Sequence, residues 1–211
     1  ADIKKFFPSI DHQILKSMFG RKIKDQKVLK LMDKIVDGSN PQPEVIDYFP
    51  GDDLLTPLER RRGLPIGNLT SQLMANLYLN PMDHFIKQDL AAKAYLRYCD
   101  DFVIFSDDKQ WLHQVQAELE TFLAQRLRLK LHPVKTRVRQ GKEGIEFLGF
   151  RIFPSHRRVL RASVLRFRRR YADFARQCRP DQFRRNSVQS WLAHISWAKS
   201  YGLKRQLANK F

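Results

Sequence analysis

The tetrapeptide Tyr98-Cys99-Asp100-Asp101 restricts the fold more than any other feature of the sequence. Apolar residues precede it at positions 95–96 and follow it at positions 102–105, so the pattern predicts a tight turn between two strands. The two adjacent carboxylates repel each other, and each raises the pKa of the other unless a cation lies between them. A bound divalent metal explains this placement, and hard oxygen ligands favour Mg²⁺.

A third carboxylate, Asp2, begins the apolar segment 2–7, which we expect to be a buried strand. One acid at the start of a strand and an acid pair on a hairpin supply what two-metal phosphoryl transfer needs. One ion activates the attacking hydroxyl and the other stabilises the leaving group, with the ions about 3.5–4 Å apart. Aspartate is also common in turns and caps, so the metal interpretation depends on all three acids together.

These residues resemble the palm of a reverse transcriptase once they are combined with a third block, residues 63–72. That block reads Gly-Leu-Pro-Ile-Gly-Asn-Leu-Thr-Ser-Gln and is similar to the prokaryotic enzymes, most closely those of diversity-generating retroelements. Their signature Ile/Val/Leu-Gly-x-x-x-Ser-Gln matches Ile66, Gly67, Ser71 and Gln72. Tyr-x-Asp-Asp alone is a weak pattern, but the three blocks in register are specific, and the resemblance covers nearly the whole chain.

The resemblance implies an RNA-directed DNA polymerase that adds dNTPs to a primer 3′ end with two Mg²⁺ ions, for which Mn²⁺ can substitute. Its partners would be an RNA template, a DNA or RNA primer, the RNA–DNA duplex and dNTPs, with a small basic accessory protein and no membrane. We expect it in the cytoplasm of a prokaryote. Group II intron and retron enzymes remain alternatives within the same class.

The resemblance also implies roles for individual residues around the metal. The metal ligands would be the carboxylates of Asp2, Asp100 and Asp101 and the carbonyl of Ile3, and Lys135 would donate a proton to pyrophosphate. Lys135 is equally well explained as a surface lysine.

The nucleotide pocket implied by the resemblance begins with the ring of Phe7, which would leave no room for a ribose 2′-hydroxyl. Most buried Phe residues are simply core, so this role is a hypothesis. The rest of the pocket would be formed by Ile66, Gly67, Asn68, Ser71 and Gln72. Most reverse transcriptases carry Gln at the position of Ile66, and this departure favours low fidelity opposite template adenines, although Ile66 packing in a loop would explain it too.

Two further groups would contact nucleic acid. Phe147, Leu148 and Gly149 resemble the primer grip, where Gly149 would allow close approach of the primer backbone. The basic cluster Arg166, Arg168, Arg169 and Arg170 would contact duplex phosphates without reading sequence.

The charge distribution supports binding to a polyanion. The net charge is +17, and residues 151–211 hold 16 Lys and Arg against only Asp173 and Asp181. A nearly neutral body with a strongly basic C-terminal region predicts a catalytic core joined to a nucleic-acid-binding element. Trp191, Trp197 and Tyr201 are spaced like core residues of that element, which we prefer to base-stacking positions.

The expected architecture is α+β: a polymerase palm at residues 1–153, with a split βαβ, ferredoxin-like antiparallel sheet and helices on one face, followed by an all-helical basic thumb at residues 154–211. Residues 39–65 would be a long loop within the palm. The fingers region that precedes Asp2 in these enzymes would be largely absent, so we expect a fragment of a longer protein.

The periodicity of the sequence predicts individual elements. Strands are expected at 2–7, 94–105 (a hairpin), 128–139 and 145–153, and helices at 10–19, 25–37, 69–88, 108–127 and beyond 160. In helix 69–88, Leu69, Leu73, Leu77 and Phe85 should face inward, and Pro81 should kink or divide it. Ser9 can cap the helix that follows it.

Two interpretations from other functional classes remain open. A palm-type nucleotidyl cyclase shares the core and the metal chemistry, but it needs no basic helical grip. A non-catalytic RNA-binding protein built on a retired polymerase would explain the charge but not the intact carboxylates. The isolated Cys99 and Cys178 show no metal-ligand spacing and indicate a reducing compartment.

Overall fold

The computed structural model describes residues 1–38, 46–176 and 180–208. The chain forms two compact units, Ala1–Val138 and Arg139–Phe211. Residues 39–45 of the predicted loop and Cys178 lie outside the described residues. The division falls before the predicted palm–thumb boundary at residue 153, because the strands around that boundary pair with one another. The assignment of palm and thumb to 1–153 and 154–211 stays a prediction.

The first unit combines helices with one strand hairpin. Its elements are α1 (Phe6–Ser9), α2 (His12–Lys22), α3 (Gln26–Asp37), α4 (Thr56–Glu59), α5 (Leu69–His84), β1 (Ala94–Tyr98), β2 (Asp101–Phe105) and α6 (Lys109–Phe122). A π-helical turn extends α5 over Phe85–Asp89, and another extends α6 over Leu123–Leu127. The predicted hairpin and most of the predicted helices are confirmed, and the α+β class follows from them.

The N-terminal segment lies between β2 and the segment at 130–132. Ala1 and Phe102 exchange both backbone hydrogen bonds, at 2.8 and 3.0 Å between nitrogen and oxygen. On the other side, the Lys4 nitrogen donates to the Lys130 carbonyl at 2.9 Å and the His132 nitrogen to the Asp2 carbonyl at 2.8 Å. Four extended segments therefore lie side by side, in the order β1, β2, the N-terminal segment and the segment at 130–132.

Regular strands at 2–7 and 128–139 were wrong predictions. The two segments meet only at an isolated antiparallel bridge between Ile3 and Leu131. Lys5 then adopts a left-handed conformation, with φ of 45°, and α1 begins at the next residue. Pro8 and Pro133 supply no N–H to a ladder, and the fixed φ of proline suits the first turn of a helix.

Helix α5 is continuous through Pro81, and its buried face agrees only in part with the predicted one. Leu77 and Phe85 are half-buried and pack against the core, whereas Leu69 and Leu73 are exposed. The buried residues follow the next stripe around the helix: Ser71, Met74, Ala75, Tyr78, Leu79 and Met82. Both stripes satisfy three- and four-residue spacing, so apolar spacing alone did not identify the face that packs against the core.

The start of α2 is held by a buried polar cluster. Asp11, rather than the predicted Ser9, caps the helix by accepting a hydrogen bond from the Ile14 nitrogen at 3.1 Å. The Asp11 carboxylate also accepts from Arg128 at 2.7 Å. The next residue, His12, contacts the Gly63 carbonyl through Nε2 at 2.7 Å. These bonds join α2 to the segment that leads into α5.

The second unit contains a small antiparallel sheet and helices. Strands β3 (Ile145–Phe147), β4 (Phe150–Ile152) and β5 (Arg157–Val159) pair in that order, after a 3-10 turn at Gly141–Glu143. The helices are α7 (Arg161–Arg176), α8 (Asp181–Ser196) and α9 (Tyr201–Ala208). The prediction of helices beyond residue 160 is confirmed for the described residues.

The core of the second unit is centred on stacked aromatic rings. Phe167 and Trp191 stack with ring centroids 4.1 Å apart, and both are buried. Trp197 and Tyr201 are 66% and 82% exposed, so the prediction that they are core residues was wrong. Neither unit offers a described helix that is both long and apolar enough to cross a lipid bilayer.

Candidate active site

The acid pair occupies the tip of the β1–β2 hairpin. Tyr98 pairs with Asp101 across the strands, which leaves Cys99 and Asp100 as the two residues of the turn. Cys99 has a left-handed φ of 53°, which a tight hairpin turn requires at its first central position. Asp100 therefore projects from the turn, while Asp101 is the first residue of β2.

The structure brings Asp2 to this turn. The backbone exchange between Ala1 and Phe102 places the first strand segment beside β2, and Asp2 is buried. Burial raises the pKa of Asp100, and the charges of Asp2 and Asp101 and a side-chain hydrogen bond with Asp2 raise it further. Burial and the charge of Asp2 likewise raise the pKa of Asp101. The three predicted acids thus interact as a group.

Lys135 supplies a positive charge beside these acids. Its Nζ contacts Asp2 Oδ2 in a salt bridge. The hydrogen bond with Asp2 raises the pKa of Lys135, and the charges of Asp101 and Asp100 add to the effect. The lysine lies within a turn in which the Thr136 nitrogen donates to the His132 carbonyl at 3.0 Å. Since His132 is itself bonded to Asp2, the backbone directs Lys135 toward the acids.

The donor set suits a hard divalent cation. Carboxylate oxygens are ligands that Mg²⁺ prefers, and it commonly takes one or two from the protein and the rest from substrate phosphates and water. Among the described residues, no group of three or more His, Cys, Asp or Glu side chains is arranged to hold a metal ion. The Asp2 carboxylate is instead paired with Lys135. The metal roles of Asp2, Ile3, Asp100 and Asp101 stay predictions, and Ile3 lies in the core.

Phe7 lies in α1, half-buried, rather than on a strand. Its ring meets that of Phe6 edge to face at 5.4 Å, and Phe6 is the fully buried partner. The Phe7 carbonyl accepts a hydrogen bond from the Leu64 nitrogen at 2.9 Å. This bond joins α1 to the segment that leads to Ile66, and the nucleotide-binding roles of Phe7 and Ile66 stay predictions.

The predicted pocket residues surround the start of α5. Ile66 is 72% exposed, and Gly67 has φ of 103°, a conformation that favours glycine. Asn68 is the N-cap residue but makes no side-chain capping bond. Ser71 is buried in the helix, whereas Gln72 is exposed. Ile66, Asn68 and Gln72 are therefore accessible to a ligand, and Ser71 is not.

The predicted primer grip forms the β3–β4 turn in the second unit. Phe147 pairs with Phe150, which leaves Leu148 and Gly149 as the turn residues, with φ of 49° and 84°. Left-handed φ at both central residues is typical of a type I′ turn. This conformation explains Gly149, since a Cβ there would meet only the His194 ring at ordinary contact distances. Close approach of a primer stays a prediction.

The four predicted arginines lie on α7. All of them are exposed, and the guanidinium of Arg170 lies 5.9 Å from the centroid of the buried Phe167 ring. Among the described side chains, no acid forms a salt bridge with any of these four arginines, so the helix presents a strongly positive surface. Such a surface suits phosphate contacts.

The sequence analysis missed Arg97 and its partner Asp83, which lie near the site. Arg97 of β1 contacts the hairpin turn and also Asp83 of α5. The alternation of Tyr95 and Arg97 on one strand face was a signal that could have identified Arg97, but the acidic partner of both residues, Asp83, lies on another element.

Cys99 is a poor nucleophile, because burial and then the charges of Asp100 and Asp101 raise the pKa of its thiol.

Comparison with known proteins identifies the family. Residues 1–152 match the family described as reverse transcriptase (RNA-dependent DNA polymerase). Protein YkfC of Escherichia coli is 23% identical over 190 residues, which cover 75% of this chain and 47% of YkfC. The group II intron-encoded protein LtrA of Lactococcus lactis is 24% identical over 217 residues, which cover 72% of this chain and 34% of LtrA.

A shorter match connects the chain to a protein of Schizosaccharomyces pombe, an uncharacterized 91 kDa protein in the cob intron. It is 33% identical over 87 residues, which cover 41% of this chain and 9% of that protein. The chain spans about half or less of the length of these relatives. The family match covers well over half of this chain and includes all three acids of the candidate site, and the chain therefore belongs to the reverse transcriptase family.

Proposed function

We propose that this chain provides the catalytic palm and the nucleic-acid-binding thumb of an RNA-directed DNA polymerase. The observation that supports this most is the meeting of Asp2 with the Asp100–Asp101 turn, since the two parts lie about a hundred positions apart in sequence. In this proposal a primer 3′-hydroxyl attacks the α-phosphate of a dNTP and pyrophosphate leaves.

The carboxylates of Asp2, Asp100 and Asp101, with the Ile3 carbonyl, would hold Mg²⁺. When bound, the metal would activate the hydroxyl and offset the charge that develops on the phosphates. Lys135 would leave Asp2 as the cation arrives, because both compete for the same oxygens. Its side chain is 61% exposed and therefore has space to move. Near the phosphates it would act as a proton donor to pyrophosphate.

The remaining predicted residues would select and hold the substrates. Phe7 would exclude the 2′-hydroxyl of a ribonucleotide, and the accessible Ile66 would lie against the nucleotide or template base. The β3–β4 turn would hold the primer end. The α7 arginines would bind the RNA–DNA duplex through its phosphates, which attract positive charge regardless of sequence.

Primer extension on an RNA template tests the proposal. The wild-type chain should add dNTPs in the presence of Mg²⁺ or Mn²⁺ and stop when EDTA is added. Asp100→Asn should lower the rate by about 100-fold or more, the loss typical of removing one preorganised electrostatic group. Asp107→Asn, which alters an exposed acid just beyond β2, is the matched control. Equal rates for Asp100→Asn and wild type would refute the proposal.

We further propose that the polymerase is error-prone and belongs to a diversity-generating retroelement, where a small basic accessory protein would assist it. The support is the Ile66-Gly67-x-x-x-Ser71-Gln72 signature together with the exposure of Ile66. The second candidate is a group II intron enzyme, which the similarity to LtrA favours.

Copying a defined RNA and sequencing the cDNA separates the two candidates. A retroelement enzyme should misincorporate mainly opposite template adenines, and Ile66→Gln should reduce those errors by restoring an amide near the base. Leu73→Gln, which alters an exposed apolar residue on α5, controls for added polarity. Accurate copying of adenines by the wild-type chain would favour the group II intron type.

A further inference from the structure

The guanidinium of Arg97 joins α5 to the hairpin turn of the acid pair. Its Nε donates to Asp83 Oδ1 at 2.7 Å, and its Nη2 contacts the other carboxylate oxygen of Asp83. Its Nη1 donates to Asn76 Oδ1 and to the backbone carbonyl of Cys99, each at 3.0 Å. One side chain thus contacts two helix residues and the turn itself.

The secondary structure explains why these residues meet. Tyr95 and Arg97 alternate along β1 and share one face of the strand. Asn76 and Asp83 are seven residues apart on α5 and share one face of the helix. Tyr95 Oη donates to Asp83 Oδ1 at 2.6 Å, so two residues of the strand face bind the same carboxylate.

The bond to Cys99 reaches a residue with a left-handed backbone conformation. Cys99 is a non-glycine residue with left-handed φ, which side chains generally avoid outside turns. Its carbonyl belongs to the peptide group that leads directly into Asp100. A charged donor at this carbonyl therefore constrains the peptide plane that sets the direction of the Asp100 side chain.

We propose that Arg97, held by Asp83 and Asn76, is a positioning residue that fixes the Cys99–Asp100 turn and thereby places the Asp100 carboxylate beside Asp2. The inference rests on the proposed function for its catalytic consequence, whereas the effect on the turn is independent of catalysis. Among the described residues, the hydrogen bonds of Arg97 go to Asp83, Asn76 and Cys99 and none goes to Asp2, Asp100 or Asp101, so it acts through the backbone.

Arginine is required in this role because of its shape. The planar fork binds both oxygens of Asp83 while a third nitrogen remains for Asn76 and Cys99. Lysine has one nitrogen and cannot serve all of these acceptors at once. Burial limits solvent competition for the cluster, since the Arg97 and Asp83 side chains are 12% and 29% exposed.

Arg97→Lys is the variant that tests the proposal, because it keeps the charge and removes the fork. Three quantities are measured: Mn²⁺ affinity by electron paramagnetic resonance, the single-turnover extension rate at saturating substrates, and amide exchange of peptides from β1–β2. We expect Mn²⁺ affinity to fall about fivefold or more and the rate about tenfold or more, as for a small displacement of a catalytic group. The dNTP KM and the primer–template Kd should change less than twofold.

Exchange should accelerate in the hairpin peptides and stay unchanged in peptides from β3–β5. Arg126→Lys, an exposed arginine of the first unit, is the matched control and should resemble wild type throughout. Wild-type Mn²⁺ affinity together with wild-type hairpin exchange in Arg97→Lys would overturn the positioning role. If Asp100→Asn extends primers as fast as wild type, the proposed function fails, while the hairpin exchange still decides whether Arg97 holds the turn.

Discussion

At the scale of single residues, the candidate site is a place where like charges are held together. Asp2, Asp100 and Asp101 all influence one another, and the pKa of Asp100 is raised by burial and by its acid neighbours. Such an arrangement is unfavourable without a cation. Lys135 provides one positive charge, and a metal with substrate phosphates would provide more. The three acids whose mutual repulsion is unfavourable without a cation are therefore the residues that would bind the metal and, through it, the substrate phosphates.

Phe7 allows a test of substrate selection at the same scale. Phe7→Ala should let ribonucleotides enter, because the ring is the proposed barrier to the 2′-hydroxyl. We expect the preference for dCTP over CTP to fall by about tenfold or more. The measurement is competitive incorporation of both nucleotides in one sample, so the ratio does not depend on how much of the variant is folded.

The control for this variant is Phe7→Tyr, which keeps the ring and should keep the sugar preference. If Phe7→Ala selects deoxynucleotides as strongly as wild type, Phe7 is only a packing residue beside Phe6.

At the scale of elements, local patterns predicted one hairpin and most of the helices, but they missed the division of residues 145–153 into β3 and β4. The β1–β2 hairpin and α6 were predicted because alternation and helical spacing are complete within each segment. The buried face of α5 and the short bridge between Ile3 and Leu131 were not predicted, because both depend on contacts with residues distant in sequence. The Arg97–Asp83 pair was missed for the same reason.

The start of α2 should make folding stability sensitive to pH. Burial, followed by the charges of Arg61 and Lys16, lowers the pKa of His12 against the opposing effect of its Gly63 hydrogen bond. A lowered pKa means that the folded state favours the neutral ring. The stability that depends on it is complete above about pH 6.5, the unfolded value, and is lost as the pH falls.

Thermal or urea unfolding between pH 7.5 and 5 measures this effect. Below pH 6.5 the unfolding free energy should fall by up to about 1.4 kcal/mol per pH unit from His12 alone. His12→Gln keeps a donor for Gly63 and does not titrate, so the difference between the two proteins isolates the histidine. Parallel pH profiles for wild type and His12→Gln would show that His12 does not titrate on unfolding.

At the scale of the whole molecule, the two units differ strongly in net charge, and this difference distinguishes them more clearly than any boundary that the sequence predicts. The acids of the candidate site all belong to the first unit, and most of the excess positive charge belongs to the second. The composition predicted this asymmetry correctly, since it needs only counting. The division of the chain at residue 138 was not predicted, because it depends on β4 pairing with both β3 and β5.

The basic surface of α7 predicts a salt-dependent affinity for nucleic acid. Arg169→Gln should weaken binding of an RNA–DNA duplex equally for all sequences and reduce the slope of log K against log salt by about 1. Fluorescence anisotropy at several salt concentrations measures this slope. Arg126→Gln removes the same charge from the first unit and should change the slope less. A slope that is the same for both variants would argue against α7 as the duplex-binding element.

The most direct test of the account is the position of bound metal. We expect a crystal of the chain with Mn²⁺, an RNA–DNA primer–template and a dNTP to show anomalous peaks at the hairpin tip. The carboxylates of Asp2 and Asp100 should be ligands, and Lys135 should have moved away from Asp2. Anomalous density elsewhere, with Asp2 still bound to Lys135, would contradict the proposed active site.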